Sequence, residues 1–238
     1  MTMNTVPLNS AKHKELFIQV DQNYPHVAEQ NMVPLVASEF LSASNNFPIV
    51  FVKQQETGQF KAVALFGFST GENLVFNKGN VFTNYVPVNV RRYPFSAGGE
   101  SAQGSDLVLC IDENSQLLNK SQGVRIFNDD GSASEATQQA SKLITDLLAK
   151  EEATDNFINF LVENDLLQAT ELSVRMGDDG AHKINGIYKV DEEALNTLSD
   201  DVVIAMYKRK YFPAIYSHLA SLSQINRLLQ LKANYTPK

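Results

Sequence analysis

The residues best suited to binding chemistry lie in one short stretch, where two adjacent arginines stand among aromatic side chains and prolines. Arg91 and Arg92 could together grip a carboxylate, a phosphate or an acidic segment of a partner. Tyr85, Tyr93 and Phe95 would supply an aromatic floor beside them. Adjacent side chains of a helix or strand cannot share one direction, so at least one arginine either pairs internally or faces a partner.

A structural interpretation of the same arginines stays open beside the functional one. It is an internal ion pair with Glu72, Asp106 or Asp112. Gly67, between two phenylalanines, carries a similar ambiguity, because a glycine admits a ligand or another backbone but also marks a strand bulge.

Other reactive residue types do not form a recognisable pattern. None of the four histidines, at 13, 26, 182 and 218, stands in a HExxH or HxH spacing, so we predict no metal site. His218 is interpreted first as a packing residue of a helix, and otherwise as a group near a bound ligand. Cys110 lies in an apolar run, which is typical of a buried structural thiol. We predict no catalytic residue and no cofactor.

Two further segments resemble binding loops only in composition. The glycine- and serine-rich residues 96–105 lack the lysine and spacing of a phosphate-binding loop, so we predict a surface loop whose amides could form an anion nest. The acidic turns at 129–130 and 178–179 lack the calcium-loop pattern, and we expect them to face water.

Composition limits the class of partner. The 238 residues are 43% hydrophobic, and 27 acidic against 20 basic residues give a net charge of −7. This balance argues against a nucleic-acid partner, which needs a basic face. One cysteine cannot form an internal disulfide. The absence of a long apolar run and of a signal-peptide pattern predicts no membrane span and a cytoplasmic location.

Strand signals dominate the first half of the chain. Dense β-branched and aromatic runs at 48–53 and 60–68 predict a hairpin with a four- or five-residue connection. Further strands are expected at 72–76, 106–112 and 124–127. The run at 106–112 is apolar at successive positions, which is typical of a central strand.

Helical periodicity dominates the second half. Ser134 and Thr154 are predicted to begin separate helices, and Asp191, Asp200 and Pro213 to stand at the starts of three more. A strong turn at 177–180 predicts a hairpin between 172–176 and 183–190. The fold class is therefore α+β: an antiparallel sheet from 47–127 packed with a C-terminal helical region that contains a second hairpin. We divide the chain into 1–131, mainly β, and 132–238, mainly α-helical, within one integrated domain.

The sequence also resembles the bacterial SapC family over about residues 30 to 230. The stretches that carry the resemblance are 46–51, 64–68, 71–74, 85–95, 109–112, 186–192 and 215–222. Arg91-Arg92-Tyr93-Pro94-Phe95 and Tyr216-Ser217-His218-Leu219-Ala220-Ser221-Leu222 are the most specific. The family name refers to a surface-layer-associated locus. Members of such families tend to be found beside flavin-dependent halogenase-like proteins and TonB-dependent receptors, so the resemblance implies an accessory role in uptake or modification of a substrate. Residues 210–213 depart from the family pattern.

We expect a non-catalytic accessory protein that binds a protein or peptide partner, with the arginine–aromatic stretch as its recognition surface. The alternative is a small-molecule-binding protein or an enzyme. It would hold an aromatic or anionic ligand in a pocket between sheet and helices, gripped by Arg91 or Arg92 with Tyr93 or His218 nearby.

Overall fold

The computed structural model describes residues 4–19, 21–77, 79–98, 108–175 and 181–234, of which 172–175 and 181–183 are described as backbone only. The strands are β1 (Thr5–Pro7), β2 (Phe17–Ile18), β3 (Met32–Pro34), β4 (Ile49–Lys53), β5 (Phe60–Leu65), β6 (Phe76–Asn77), β7 (Asn80–Val81), β8 (Phe95–Gly98), β9 (Val108–Asp112), β10 (Leu118–Asn119), β11 (Val124–Arg125), β12 (Leu167–Arg175) and β13 (Ala181–Val190).

Eight α-helices and three short 3-10 segments lie in the same described part of the chain. The helices are α1 (Ser10–His13), α2 (Phe40–Ala43), α3 (Val88–Arg91), α4 (Glu135–Glu163), α5 (Glu192–Asn196), α6 (Asp200–Lys208), α7 (Phe212–Ser221) and α8 (Ile225–Ala233). The 3-10 segments are Pro25–Val27, Ala37–Glu39 and Leu222–Gln224. The mixture of helices and antiparallel sheets confirms the α+β class.

Contacts divide the chain into two interleaved units. The first unit comprises 1–22 and 90–149, and the second comprises 23–89 and 150–238. Helix α4 supplies residues to both. The predicted boundary near 131 marks a change in element type rather than a division by contacts, and the single integrated domain stays a prediction.

The first unit contains two small antiparallel sheets. One has the order β1-β9-β8, and the other has the order β10-β2-β11. The predicted central strand is confirmed over Val108–Asp112, because β9 pairs on both sides. The core of the first unit is a cluster of five apolar side chains, namely Phe95, Ile111, Ile126, Phe127 and Ile144.

The second unit is built on a five-stranded antiparallel sheet of order β12-β13-β4-β5-β3. The β4–β5 hairpin is confirmed, with a connection over 54–59 that is longer than predicted. The β12–β13 hairpin is also confirmed. It extends the same sheet, because Ile187 and Tyr188 pair with Val52 and Phe51. Helix α7 contacts both β4 and β13.

Two sequence expectations about the strands were wrong. Residues 47–127 do not form one sheet, since their strands belong to several sheets. Residues 72–76 do not form a strand along their length. Instead, Asn73 is buried and its Oδ1 accepts hydrogen bonds from the amides of Val75 and Phe76, which folds this segment into a turn before β6.

Most of the predicted helix starts are confirmed, and one is wrong. Ser134 precedes α4, and its Oγ accepts a hydrogen bond from the Thr137 amide. Asp191 caps α5 through the amides of Glu193 and Ala194. Thr154, however, does not begin a helix. It lies within α4 and its hydroxyl donates to the Lys150 carbonyl. The predicted last long helix is interrupted by Leu222–Gln224.

Candidate functional site

The predicted arginine–aromatic surface lies where α3 ends and β8 begins. Arg91 is the last residue of α3 and is exposed. It makes no ion pair with any residue in the described ranges. A guanidinium group in this position is accessible to a carboxylate of a partner. Arg91 therefore retains the role predicted for it as a candidate contact.

Arg92 differs from its neighbour because its side chain turns back onto the chain. It is half-buried, and its Nη1 donates a hydrogen bond to the Phe95 carbonyl at 3.0 Å. The Phe95 amide in turn donates to the Arg92 carbonyl at 2.8 Å. These reciprocal bonds close the turn that contains the cis Tyr93–Pro94 peptide. Arg92 thus has a structural role at the entry to β8.

The carboxylates expected to neutralise the arginines have other partners. Glu72 forms an ion pair with Lys232. Asp112 is buried, and it accepts hydrogen bonds from the Tyr93 hydroxyl at 2.9 Å and from the Asn4 amide at 2.9 Å. Asp106 lies outside the described residues. The ion-pair interpretation is therefore not supported by the contacts of Glu72 and Asp112.

The aromatic floor is also largely internal. Phe95 is 7% exposed and packs in the core of the first unit, so its ring is not available for stacking on a ligand. This part of the prediction is corrected, because β8 turns Phe95 inward. Tyr93 is half-buried, and burial raises the pKa of its phenol above the ordinary value. Its hydroxyl is held by Asp112.

Tyr85 supports a buried carboxylate in the second unit. Its hydroxyl donates to Glu39 Oε1 at 2.6 Å, and the Val88 amide donates to the same oxygen at 2.8 Å. Glu39 is 5% exposed, so these donors replace the water that a buried carboxylate would otherwise need. The Tyr85 hydroxyl therefore has a structural role, which is to stabilise the buried Glu39 carboxylate.

His218 joins α7 to two strands of the second unit. It is fully buried, and its Nδ1 bonds to the Ile49 carbonyl at 2.9 Å. Its Nε2 accepts from the Val190 amide at 3.0 Å. Since Nε2 accepts, the ring is neutral with its proton on Nδ1. Burial lowers the pKa of His218 from 6.5 to about 4, with a smaller contribution from Lys189. The placement near a ligand is corrected in favour of the packing interpretation.

Ser221 completes this connection one turn later. Its Oγ accepts from the Ile49 amide at 2.9 Å and donates to the His218 carbonyl at 2.5 Å. Both backbone groups of Ile49 are therefore satisfied by side chains of α7. Two residues of the family-specific stretch 216–222, His218 and Ser221, therefore serve to attach α7 to the sheet.

The remaining candidates are structural as well. Cys110 is buried, and burial raises the pKa of its thiol, which disfavours the nucleophilic thiolate. A Cβ on Gly98 would approach Cys110 Sγ to 2.3 Å, so strand β8 lies directly against the thiol. At Gly67 a Cβ would meet the Glu72 carbonyl at 2.3 Å, so this glycine admits another backbone. In the described part of the chain, no group of three His, Cys, Asp or Glu side chains could hold a metal ion.

Residues 99–107 and 176–180 lie outside the described residues, so the predicted anion nest falls largely there and the acidic turn at 178–179 entirely so. The other acidic turn, at 129–130, is exposed. It is ordered by an ion pair of Asp129 with Arg125 and by bonds from Ser132 to Asp130.

The sequence interpretation missed two surface features of the second unit. The first is an apolar exposed face on α6, formed by Val203, Ile204 and Tyr207. The second is a cleft of about 400 Å³ between α2, α4 and the link from α6 to α7, lined in part by Lys150, Arg209 and Lys210. A signal for both existed, because residues 202–207 are apolar without interruption and are followed directly by three basic residues.

Comparison with protein families identifies the chain. The sequence model of the SapC family matches residues 8–228. The chain belongs to the SapC family. Comparison of this SapC protein with curated proteins and with solved structures gives no match. Among the described residues, no helix is both long and apolar enough to cross a membrane.

Proposed function

We propose that this SapC-family chain is a non-catalytic accessory protein that binds a protein partner through the exposed face of α6. The observation that carries the proposal is the exposure of three large apolar side chains on one nine-residue helix. Val203, Ile204 and Tyr207 are 38%, 50% and 75% exposed. Met206 is the one buried residue of this helix.

The spacing of these residues supports a binding surface. Positions 203 and 207 are four apart and positions 204 and 207 are three apart, so they lie on one side of the helix. A helix that only packs on a core directs its apolar residues inward and its polar residues outward. Here apolar side chains also face outward. Tyrosine is enriched at protein interfaces, because its ring offers a large contact area at little loss of conformational freedom.

The charges at the two ends of α6 restrict the partner. Asp200 and Asp201 lie in its first turn, and Lys208 lies in its last turn. A complementary segment would carry apolar side chains at its centre, a basic group opposite the aspartates and an acidic group opposite the lysine. We therefore propose an amphipathic segment of a partner protein as the occupant. The accessory role in substrate uptake or modification, which the family resemblance implies, is consistent with such a partner.

The test is capture from the native host with three matched proteins: wild type, Ile204→Asp and Leu148→Asp. Leu148 is an exposed apolar residue in the middle of α4, 39% exposed, so its substitution controls for a new surface charge on a helix. A partner captured by wild type is identified, purified and titrated by calorimetry. We expect Ile204→Asp to weaken binding by at least about tenfold and Leu148→Asp by less than about twofold.

The result that overturns the proposal is equal binding of the purified partner to Ile204→Asp and wild type. Circular dichroism and the thermal midpoint are recorded for each variant, so that a folding defect is separated from a binding defect. Arg91→Ala is included because Arg91 was predicted as a contact. Loss of binding in this variant alone would transfer the recognition surface to the end of α3.

A further inference from the structure

The strongest additional feature is the cleft between α2, α4 and the link from α6 to α7, all within the second unit. Its volume of about 400 Å³ is in the range of small-ligand sites, which runs from about 300 to 1,000 Å³. The lining combines two kinds of side chain. Basic side chains come from α4 and from the link, whereas Leu41, Phe157 and Tyr211 provide apolar and aromatic surface.

The charge of the cleft is opposite to that of the whole chain. The protein carries a net charge of −7, yet three cations, Lys150, Arg209 and Lys210, line this cleft. No carboxylate is among the lining residues that the structure describes. None of the three cations forms an ion pair with a described residue. Like charges gathered around a concave apolar surface attract a counter-ion.

Arg209 is held by an aromatic ring of α4, and Lys210 has an uncommon backbone conformation. The Arg209 guanidinium lies over the Phe160 ring, 5.1 Å from its centroid. Lys210 adopts a left-handed backbone conformation with φ +59°, which a residue other than glycine rarely adopts. Glycine at this position would avoid the backbone strain that the lysine imposes. Such strain is commonly retained where a side chain has a binding role.

The apolar residues that line the cleft would select the rest of the ligand. Phe157 is 1% exposed, and its ring contacts Tyr211 edge-on at 5.1 Å between centroids. Leu41 lines the cleft, and 71% of its surface is exposed. An apolar body lying between Leu41 and Tyr211 would cover this surface and gain the corresponding free energy of burial.

From these contacts we propose that the cleft binds a small organic carboxylate whose apolar or aromatic body lies on Leu41 and Tyr211. Its carboxylate is received by Lys150 and Lys210, with Arg209 beside them. The apolar lining residues distinguish this ligand from an inorganic anion, and the basic lining residues distinguish it from a neutral apolar molecule. The site does not depend on the proposed docking face of α6.

The experiment is a calorimetric titration of the full chain with 3-phenylpropionate and octanoate. Each acid is paired with its uncharged amide, and inorganic phosphate serves as an anion without an apolar body. We expect both acids to bind and both amides and phosphate to bind at least about tenfold more weakly. Saturable binding of either acid at one site per chain is the primary result.

Three variants locate the site. Lys150→Gln and Lys210→Gln remove cations of the cleft, and we expect each to weaken acid binding by about fivefold. Lys208→Gln is the matched control, because Lys208 is exposed next to the link but does not line the cleft, and its effect should stay below about twofold. Ala153→Phe places a ring at the cleft wall on α4, and we expect it to abolish binding without loss of helix content.

Several results would overturn the proposal. They are the absence of binding by both acids, equal binding of acids and amides, and an equal effect of Lys208→Gln and Lys210→Gln. The Ile204→Asp variant of α6 is titrated in parallel. Because Ile204 does not line the cleft, this variant should bind the acids normally, so failure of the carboxylate site and failure of the docking face give different patterns.

Discussion

Arg91 and Arg92 show how two adjacent residues of the same type take different roles. Their order in the sequence cannot distinguish them, because the turn after α3 decides which side chain points to solvent. Arg91 is exposed, and Arg92 donates to the Phe95 carbonyl. The sequence correctly predicted that the two side chains point in different directions. Which of them faces solvent depends on the position of β8, because its first residue, Phe95, accepts the hydrogen bond from Arg92.

The first prediction concerns these two arginines. Arg92→Ala removes a charge-assisted donor from the carbonyl of the buried Phe95, so we expect the free energy of unfolding to fall by about 1 kcal/mol. Arg91→Ala is the matched control and should change it by less than about 0.5 kcal/mol. Urea unfolding followed by circular dichroism measures both. Equal stability of the two variants would contradict the structural role of Arg92.

The structure supports the first interpretation of His218, as a packing residue, over the alternative of a group near a bound ligand. His218 is a neutral connector of α7 to β4 and β13. Between pH 6.5 and about 4 the unfolded chain binds a proton on this histidine that the folded chain does not. The contribution of His218 to stability is therefore complete above pH 6.5 and is lost as the pH falls towards 4.

The second prediction follows from this linkage. We expect the wild-type protein to lose about 3 kcal/mol of stability through His218 between neutral pH and pH 4. His218→Gln keeps a hydrogen-bonding side chain but cannot take up a proton. The stability difference between wild type and this variant should therefore shrink by about that amount over the same range. A difference that stays constant with pH, measured by urea unfolding, would be inconsistent with a neutral buried imidazole.

At the scale of elements, the link between α6 and α7 contains a residue with an uncommon backbone conformation. Lys210 has φ +59°, and the preceding residue, Arg209, is the C-cap of α6. A left-handed residue just after a helix usually is glycine, because a side chain there crowds the following carbonyl. A strained backbone residue therefore lies at the wall of the cleft.

The third prediction tests that strain. Lys210→Gly should raise the free energy of unfolding by about 1 kcal/mol, because glycine adopts this conformation without a steric cost. Lys208→Gly, in the last turn of α6, removes the same charge but should lower it by about 0.5–1 kcal/mol. Thermal unfolding of both variants gives the signs directly. A destabilising Lys210→Gly would show that the lysine side chain contributes more than its backbone costs.

Helix α4 shows why element limits were difficult to predict. Its sequence contains Thr154, which is a typical first residue of a helix, and an isolated pattern cannot reveal whether a helix ends before it. In the structure the Thr154 hydroxyl donates to the Lys150 carbonyl and accepts from the Ala37 amide. A contact 117 residues away in sequence therefore uses the oxygen that a helix start would have used.

At the scale of the whole molecule, each unit is assembled from two separate parts of the chain. The first unit joins residues 1–22 to residues 90–149. Strand β1 pairs with β9, and β2 lies between β10 and β11. The N-terminal segment therefore completes both sheets of this unit, although its own sequence contains only short strand signals.

The fourth prediction tests this assembly. Deletion of residues 1–22 should increase amide exchange in β9, β10 and β11, because each loses a paired strand. Amides of β4 and β5 should keep most of their protection, since their pairing lies within the second unit. Hydrogen exchange read by mass spectrometry resolves these segments. A uniform loss of protection in both units would show that the N-terminal strands support the entire fold.

The sequence by itself determined the α+β class, the family, the two hairpins and several helix starts. These depend on local alternation, turn residues and capping side chains, which act over a few neighbours. Tertiary structure alone decided which strands share a sheet, why His218 is buried and where basic side chains gather around a cleft. Those outcomes require partners far apart in the chain, as in the bond of His218 to Ile49, 169 residues away. A local sequence pattern cannot predict such a distant partner, because long-range pairs are determined by burial and hydrogen bonding in the folded state.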